Sequence, residues 1–378
     1  MSSVELILNG AELHHGVSGV NVYLRLLVEA LRMPPETINW RVAVPRPCVE
    51  HASFVPQERL LVVEGRDVRG YDARSLYWNN LIALHVRRHH PQAVFHSVFH
   101  FWSIVRPKKF ICTIHDCIEL LEPSVRSKSL KSRIHRWLCR SMARRADIAI
   151  VISEWTKAQA IRYYRLDPRK AVVLYNWVRP ECLRSITSEA VSRVRERYGL
   201  PERYIAYVGG YRAYKNVEFL IRAWAEANTD RALPPLVLAG AVPRESNNGF
   251  FCDVHGAIKA AGLAGHQVVT PGLVSDEDLP AFYRGATLFV SPSRQEGFGY
   301  PAVEAAACGT PVLVSDGSVY SEIFPDSRSR FSLTDTQDLS RRLIEASRGI
   351  LPPVPQIGRF TAPAGKPNYE RIVRQLLG

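Results

Sequence analysis

Short apolar runs alternate with segments of helical periodicity along the first half of the chain. Val4–Leu8, Phe110–Ile114 and Ile148–Ile152 are rich in residues that favour β-strands, and each run ends at polar residues. Val20–Leu31 and Ser129–Arg145 carry apolar residues at the spacing of an amphipathic helix. Because strands that alternate with helices form parallel sheets, this half is predicted to be a Rossmann-like domain.

The same alternation starts again near residue 204. Tyr204–Val208, Leu236–Ala239 and Leu288–Ser291 are predicted strands, and Val217–Ala227 and Ala302–Ala307 are predicted helices. We therefore predict an α/β fold with two doubly wound, Rossmann-like domains.

The predicted boundary between the domains falls in the linker that begins near residue 177. We assign residues 1–178 to an N-terminal domain and residues 179–365 to a C-terminal domain, with a C-terminal helix in 366–378 that can pack back on the first. A length of 378 residues fits two domains better than one core.

Composition is that of a water-soluble protein with an excess of positive charge. Hydrophobic residues make up 46% and charged residues 22% of the chain, and the formal net charge is +13, so we expect an anionic partner. The seven scattered cysteines form no CxxC pair, and neither a signal peptide nor a membrane-spanning stretch is recognisable. These features predict a cytoplasmic location with reduced thiols.

The most informative motif is the string in residues 293–305, Ser-Arg-Gln-Glu-Gly-Phe-Gly-Tyr-Pro-Ala-Val-Glu-Ala. It follows a predicted strand and opens a predicted helix, so the N–H groups of its loop are expected to form an anion site. Gly297 and Gly299 allow the backbone to approach a ligand closely. Glu296 and Glu304 can accept hydrogen bonds from sugar and ribose hydroxyls.

This string resembles the signature of the retaining GT-B glycosyltransferases of the E-x7-E, family 4-like group. The resemblance implies two Rossmann-like domains facing each other across a cleft, with a nucleotide-sugar donor as substrate and neither cofactor nor metal. It also implies that Glu296 holds the transferred sugar, that Glu304 holds the ribose, and that the N–H groups of Gly297, Phe298 and Gly299 stabilise the diphosphate. GDP-mannose is the favoured donor, because the chain most resembles bacterial mannosyltransferases.

Other segments resemble further parts of the same family. Gly16-Val-Ser-Gly19 is similar to its N-terminal glycine loop, and His115 is similar to the histidine beside the transferred sugar. Lys215 and Arg212 resemble the basic pair on the donor diphosphate, although Tyr214 stands where an arginine is common. Val274 lies in a loop similar to the one that borders the base.

The resemblance therefore implies a set of site residues. The catalytic candidates are His115, Glu296, Lys215 and Arg212, and the donor-binding candidates are Gly16, Gly19, Lys215, Arg212, Val274, Gly297, Phe298, Gly299 and Glu304. Asp276-Glu-Asp278 matches a metal signature of another glycosyltransferase class, but its position before a helix favours capping, and we predict no metal. Trp177 stands where the family usually has glycine.

A basic stretch, residues 126–145, contains eight Lys or Arg and no acidic residue. Its apolar stripe, Leu130, Ile134, Leu138 and Met142, is predicted to pack in the core. The basic face predicts peripheral contact with anionic lipid on the inner face of the cytoplasmic membrane, where a glycan or lipid-diphosphate-linked acceptor would be found.

Two alternatives remain open at the level of sequence. One is a catalytically inactive GT-B relative that serves as a complex subunit, and the other is a basic binding module. Nucleic acid is not an expected partner, because neither clustered strand aromatics nor a helix-turn-helix pattern is present.

Overall fold

A computed structural model describes residues 5–15, 19–99, 104–124, 129–230, 233–241 and 250–376, without the side chains of residues 14, 15, 71 and 131. The chain divides into two compact units. The first unit comprises Met1–Cys117, Ser127–Trp177 and Arg359–Gly378. The second unit comprises Ile118–Arg126 and Val178–Gly358.

Strands and helices alternate through the described residues. The strands are β1 (Glu5–Asn9), β2 (Asn39–Pro45), β3 (Leu60–Val63), β4 (Val94–Ser97), β5 (Lys109–Ile114), β6 (Ile148–Val151), β7 (Ala171–Val173), β8 (Ile205–Val208), β9 (Leu236–Ala239), β10 (Val268–Gly272), β11 (Leu288–Ser291), β12 (Val312–Ser315) and β13 (Arg330–Phe331). The helices are α1 (Gly19–Arg32), α2 (Tyr71–His89), α3 (Ile118–Leu121), α4 (Leu130–Arg145), α5 (Glu154–Gln159), α6 (Ser188–Tyr198), α7 (Val217–Ala227), α8 (Val254–Ala260), α9 (Leu279–Gly285), α10 (Tyr300–Ala307), α11 (Tyr320–Ile323), α12 (Thr336–Ser347) and α13 (Ala362–Arg374).

The first unit is built on a parallel sheet with the strand order β3-β2-β1-β4-β5-β6-β7. Leu6, Ile7 and Leu8 of β1 are fully buried, as expected for a central strand with helices on both of its faces. The C-terminal helix α13 belongs to this unit and packs on α1. The buried Tyr369 of α13 is hydrogen-bonded to His96 at the end of β4, with 2.7 Å between Oη and Nδ1.

The second unit is built on a parallel sheet with the strand order β10-β9-β8-β11-β12-β13. The order reverses between β8 and β11, so the loops after these two strands lead away in opposite directions. In open α/β sheets, ligands bind at such a reversal point, outside the carboxyl ends of the strands. The loop after β8 leads to Lys215, and the loop after β11 carries Glu296.

The predicted fold class is confirmed, because both units are parallel sheets with interleaved helices. The predicted helix Val217–Ala227 and the predicted strands Leu236–Ala239 and Leu288–Ser291 have the predicted bounds. Within the described residues, no helix is both long and apolar enough to cross a bilayer.

The prediction that the apolar stripe of the basic stretch packs in the core is wrong for its first half. Met142 is 2% exposed and Leu138 is half-buried, whereas Leu130 is 70% and Ile134 is 48% exposed. The reason is that the buried side chains of α4, Cys139, Met142 and Ala143, all lie in its C-terminal part, while α4 packs on β5 and on the helical turn of residues 160–164. The structure does not describe residues 126 and 128 or the side chain of residue 131.

Candidate active site in the second unit

The loop that joins β11 to α10 is held in shape by Gly299. This residue has a φ of +75°, a left-handed conformation that side chains other than glycine rarely adopt. A Cβ atom at this position would lie 2.5 Å from a ring carbon of the buried Tyr320. Gly299 therefore allows the loop to pack against Tyr320 and to enter α10 at once, with Pro301 in the first turn of the helix.

Two predicted site residues come together at the reversal point. Lys215 ends a short 3-10 turn after β8, and its Nζ donates a hydrogen bond to Oε1 of Glu296 at 2.5 Å. Both side chains are largely buried, with exposures of 17% and 11%. The N–H of Arg294 donates to the carbonyl of Tyr214 at 2.8 Å, so the two loops are also joined through their backbones. The site thus holds a cation and a carboxylate in direct contact.

Arg212 occupies a different position from that of Lys215. Its guanidinium carbon lies 4.0 Å from the centre of the Phe250 ring and 5.2 Å from that of Phe251. An isolated antiparallel bridge pairs the backbones of Arg212 and Phe251. Arg212 is therefore stacked on an aromatic segment, an arrangement that suits arginine because its guanidinium is planar.

Glu304 lies in α10 and is almost fully buried, with 1% of the residue exposed. Tyr283 donates a hydrogen bond to its Oε2 at 3.2 Å, and Nε of Arg179 lies 3.0 Å from its Oε1. Burial raises the pKa of Glu304 to about 7, although Arg179 and the Tyr283 hydroxyl oppose this rise. The sequence alone points to Glu304 but to neither of these two partners.

The loop that contains Val274 is organised by ion pairs. Arg179 bonds Oδ1 of Asp276 at 3.1 Å, and Arg197 bonds Oδ2 of Asp278 at 2.7 Å. The Oγ of Ser275 accepts the N–H of Asp278 at 3.2 Å, as in a helix cap. Both aspartates therefore act as partners of arginines at the start of α9, and Val274 beside them is half-buried.

A further pair in the second unit also lay outside the sequence predictions. Arg294, two residues before Glu296, forms an ion pair with Glu122, whose side chain is 7% exposed, at 3.1 Å. Glu122 follows α3 in the short segment that belongs to the second unit. The two residues are far apart in the chain, so no local pattern could connect them.

In the first unit, His115 directly follows β5 and is 8% exposed. Its Nε2 lies 2.8 Å from the carbonyl oxygen of Val98, and the ring packs edge-on against Tyr23 at 4.9 Å. Burial lowers the pKa of His115 to about 4, although the bond to Val98 opposes this. His115 is therefore neutral near pH 7, and because a carbonyl only accepts, Nε2 carries the proton and Nδ1 is the acceptor.

The glycine loop of the first unit is described only at one end. Gly16 lies outside the described residues, and Gly19 is the first residue of α1. Tyr23 of α1 bonds Thr113 of β5 through their hydroxyls at 3.1 Å. The start of α1 is thereby fixed beside the strand that leads to His115.

Trp177, which replaces the usual glycine, has a structural partner in the first unit. A Cβ atom on Gly365 of α13 would collide with Nε1 of Trp177, so the indole lies directly against this glycine. Trp177 is 3% exposed. The large residue at 177 is thus matched by a small residue in the C-terminal helix.

Comparison with known proteins gives matches over both units. A model of the family described as "Glycosyltransferase Family 4" matches residues 17–181, and a model described as "Glycosyl transferases group 1" matches residues 191–349. The two ranges meet close to the change from the first unit to the second at Val178.

The curated relatives include two proteins of Escherichia coli. The serotype-specific mannosyltransferase WbdA is 28% identical over 241 residues, which is 63% of this chain and 29% of WbdA. O-antigen chain mannosyltransferase B is 27% identical over 263 residues, which is 66% of this chain and 67% of that protein. The chain therefore spans less than a third of WbdA and about two thirds of the second relative.

Similarity to solved structures concerns the fold alone. The crystal structure of HepE from Anabaena, in complex with UDP and glucose, aligns with a TM-score of 0.69 at 14% identity and covers 98% of this chain and 100% of HepE. The two family models together span both units, and the chain therefore belongs to the GT-B glycosyltransferases, as the string in residues 293–305 predicts; bacterial mannosyltransferases are among its relatives.

Proposed function

We propose that this protein transfers a hexose, mannose in the first instance, from a nucleoside-diphosphate sugar to a glycan or lipid-linked acceptor in bacterial polysaccharide or glycolipid assembly. The observation that carries this proposal is the contact between Lys215 and Glu296 at the reversal point of the second sheet. The mannosyltransferase relatives support the choice of sugar, and GDP-mannose is the proposed donor.

The chemistry of the leaving group explains the need for a buried cation. Departure of a nucleoside diphosphate builds negative charge on the β-phosphate, and a cation with little water around it stabilises that charge strongly. Lys215 is the proposed cation, and Arg212 contributes to the charge of the surroundings. The reaction is proposed to need no metal and no cofactor.

Glu296 is proposed to bind hydroxyls of the transferred sugar. A carboxylate accepts hydrogen bonds at both oxygens, so Glu296 can orient the sugar while it is also bonded to Lys215. Glu304 is proposed to hold the ribose, and neutral His115 to accept a hydrogen bond from the sugar. Retention of anomeric configuration, by attack of the acceptor on the face that the leaving group departs from, is part of this proposal.

Transfer from labelled GDP-mannose to an acceptor is the direct test. The assay combines the purified chain, GDP-mannose and short mannose oligosaccharides, with and without EDTA, and the anomeric configuration of the product is read by NMR. We expect an α-linked mannose product that is unaffected by EDTA. A product with inverted configuration, or activity that EDTA abolishes, would refute the proposed mechanism. The absence of transfer from any nucleotide sugar would favour the hypothesis that the chain is a catalytically inactive relative.

We also propose that the first half of α4 contacts an anionic membrane peripherally. Leu130 is 70%, Ile134 is 48% and Trp137 is 65% exposed on a helix that has no acidic residue. Exposed apolar side chains among arginines, with a tryptophan, are the composition of a helix that lies in a lipid headgroup region. This surface would bring the enzyme to a lipid-diphosphate-linked acceptor at the inner face of the cytoplasmic membrane.

Co-sedimentation with vesicles tests the membrane contact. The chain is expected to bind vesicles that contain phosphatidylglycerol but not vesicles of phosphatidylcholine alone, and Trp137→Ser is expected to weaken binding. Ile350→Ser is the control, because Ile350 is equally exposed, at 65%, in the second unit. Equal binding of both variants, or equal binding to both kinds of vesicle, would exclude this surface.

A further inference from the structure

The carboxylate of Glu304 lies among more negative than positive groups. The charged and titratable groups that face it are Arg179, Asp276, Glu181, Tyr283, Cys182 and Cys308. Arg179 is the only cation among these groups. Asp276 and Glu181 both disfavour a second negative charge at Glu304.

Arg179 is placed to contact the carboxylates of Glu304 and Asp276 at the same time. Its Nε lies 3.0 Å from Glu304, its terminal nitrogen lies 3.1 Å from Asp276, and its side chain is 15% exposed. A guanidinium offers donors in a fixed planar fork, so one arginine can hold two carboxylates in a defined relative orientation. A lysine has one ammonium group and cannot reproduce this arrangement.

We propose that Arg179 is a positioning residue that keeps Glu304 ionised and oriented so that it can accept hydrogen bonds from the ribose of the donor. This inference rests on the proposed function. An ionised carboxylate offers acceptor sites on both oxygens: Tyr283 donates a hydrogen bond to Oε2, and the guanidinium of Arg179 lies against Oε1 as an ion pair without a hydrogen bond to it. A protonated Glu304 would turn one oxygen into a donor and lose part of its capacity for the ribose.

The pH dependence of donor binding distinguishes this role from a purely structural one. Since the pKa of Glu304 is about 7, binding of GDP-mannose is expected to strengthen as the pH rises from 6 to 8. Removal of the cation in Arg179→Met would move the midpoint of this dependence to higher pH. Asp276→Asn removes a negative neighbour and would move the midpoint to lower pH.

The experiment measures the dissociation constant of GDP-mannose, and of UDP-glucose, by calorimetry at a series of pH values. Each unit by which the midpoint rises is expected to weaken binding by up to about tenfold at a pH below both midpoints. Arg197→Met is the matched control, because Arg197 pairs with the neighbouring Asp278 and is 65% exposed. Arg179→Lys, which keeps the charge, is expected to restore part of the wild-type midpoint even if Arg179→Met folds poorly.

A second readout needs no ligand. Because burial raises the pKa of Glu304 above its unfolded value, its titration lowers stability as the pH rises from about 4.5 to about 7. The difference in melting temperature between the wild type and Glu304→Gln isolates this titration. When Arg179→Met is added to both proteins, the pH range over which this difference changes should extend to higher pH.

The possible results separate the two proposals. Identical pH profiles of nucleotide binding for Arg179→Met and Arg197→Met would overturn the role of Arg179 and leave the donor site intact. If the wild type binds no nucleotide sugar at any pH, both the donor site and this role are overturned. Midpoints that move in opposite directions in Arg179→Met and Asp276→Asn would support the role.

Discussion

At the scale of single residues, the site depends on charges that the fold removes from water. Lys215 and Glu296 come from loops after different strands, and each neutralises the other where neither is well solvated. Removal of one partner would leave a poorly solvated charge, which is costly. If the proposed donor binds here, Lys215 would keep its bond to Glu296 and offer its remaining N–H groups to the diphosphate, since an ammonium group has three donors.

Gly299 gives a prediction about the loop itself. Gly299→Ala places a Cβ against the Tyr320 ring and forces an unfavourable φ, so we expect a loss of about 2 kcal/mol or more in the free energy of unfolding. Gly262→Ala is the control, since Gly262 has a φ of +64° but open space around its Cβ position. Urea denaturation measures both, and equal losses would show that the contact with Tyr320 is unimportant.

The buried histidines predict how stability responds to acid. The pKa is lowered by burial to about 4 for His115 and about 3 for His96, so the unfolded chain binds protons more readily than the folded one. Their contribution to the free energy of unfolding is therefore complete above pH 6.5 and is lost as the pH falls towards 4. The loss is up to about 1.4 kcal/mol per histidine for each pH unit.

The measurement is the melting temperature between pH 7 and pH 4.5. We expect His115→Gln to show a smaller decrease than the wild type, whereas His255→Gln, at an exposed position on α8, should follow the wild type. If the melting temperature of His115→Gln decreases as much as that of the wild type, the imidazole of His115 is not buried as a neutral group.

The sequence alone singles out candidate site residues but not the residues that contact them. Glu296, Gly299 and Glu304 belong to one contiguous string, and that string is a local pattern that can be recognised without a structure. Arg179 and Tyr283 meet Glu304 only because α9, α10 and the start of the second unit pack together. Contacts of this kind depend on the assembled fold and leave no local signal.

At the scale of elements, strands with continuous apolar runs were predictable and mixed segments were not. β9 and β11 are bounded apolar runs and lie at their predicted positions. α2 was not predicted, although Trp78, Ile82 and Val86 form a fully buried stripe, because polar and aromatic residues are mixed around it. In α4 the periodicity correctly indicates a helix, but periodicity cannot show how much of a helix reaches the sheet.

The contact between Trp177 and α13 gives a prediction at this scale. Gly365→Ala in the wild type would place a methyl group where the indole lies, so we expect the protein to be destabilised by about 1–3 kcal/mol. In a Trp177→Gly background the same change should be neutral or stabilising, because alanine favours a helix by roughly 1 kcal/mol over glycine.

This double-mutant cycle is measured by urea denaturation. A coupling energy near zero would contradict the packing of Trp177 on Gly365, whereas a coupling of about 1 kcal/mol or more is expected for residues in direct contact.

At the scale of the whole molecule, two units of the same architecture divide the predicted functions. The second unit contains the Lys215–Glu296 pair and Glu304, and the first unit contains His115 and the basic helix α4. The repeated alternation of strands and helices made both sheets predictable. The placement of residues 118–126 in the second unit was not, because their short apolar pattern suits either unit.

The most direct test of the account is calorimetric titration of GDP-mannose into the wild type, Lys215→Met and Lys259→Met, all in EDTA. Lys259 is an exposed lysine of the same unit and serves as the control. We expect the wild type and Lys259→Met to bind GDP-mannose alike, and Lys215→Met to bind it at least about tenfold more weakly, since a hydrogen bond to a charged group contributes about 1.5–3 kcal/mol. Unchanged affinity in Lys215→Met, or no binding of any nucleotide sugar by the wild type, would contradict the placement of the donor site at this sheet.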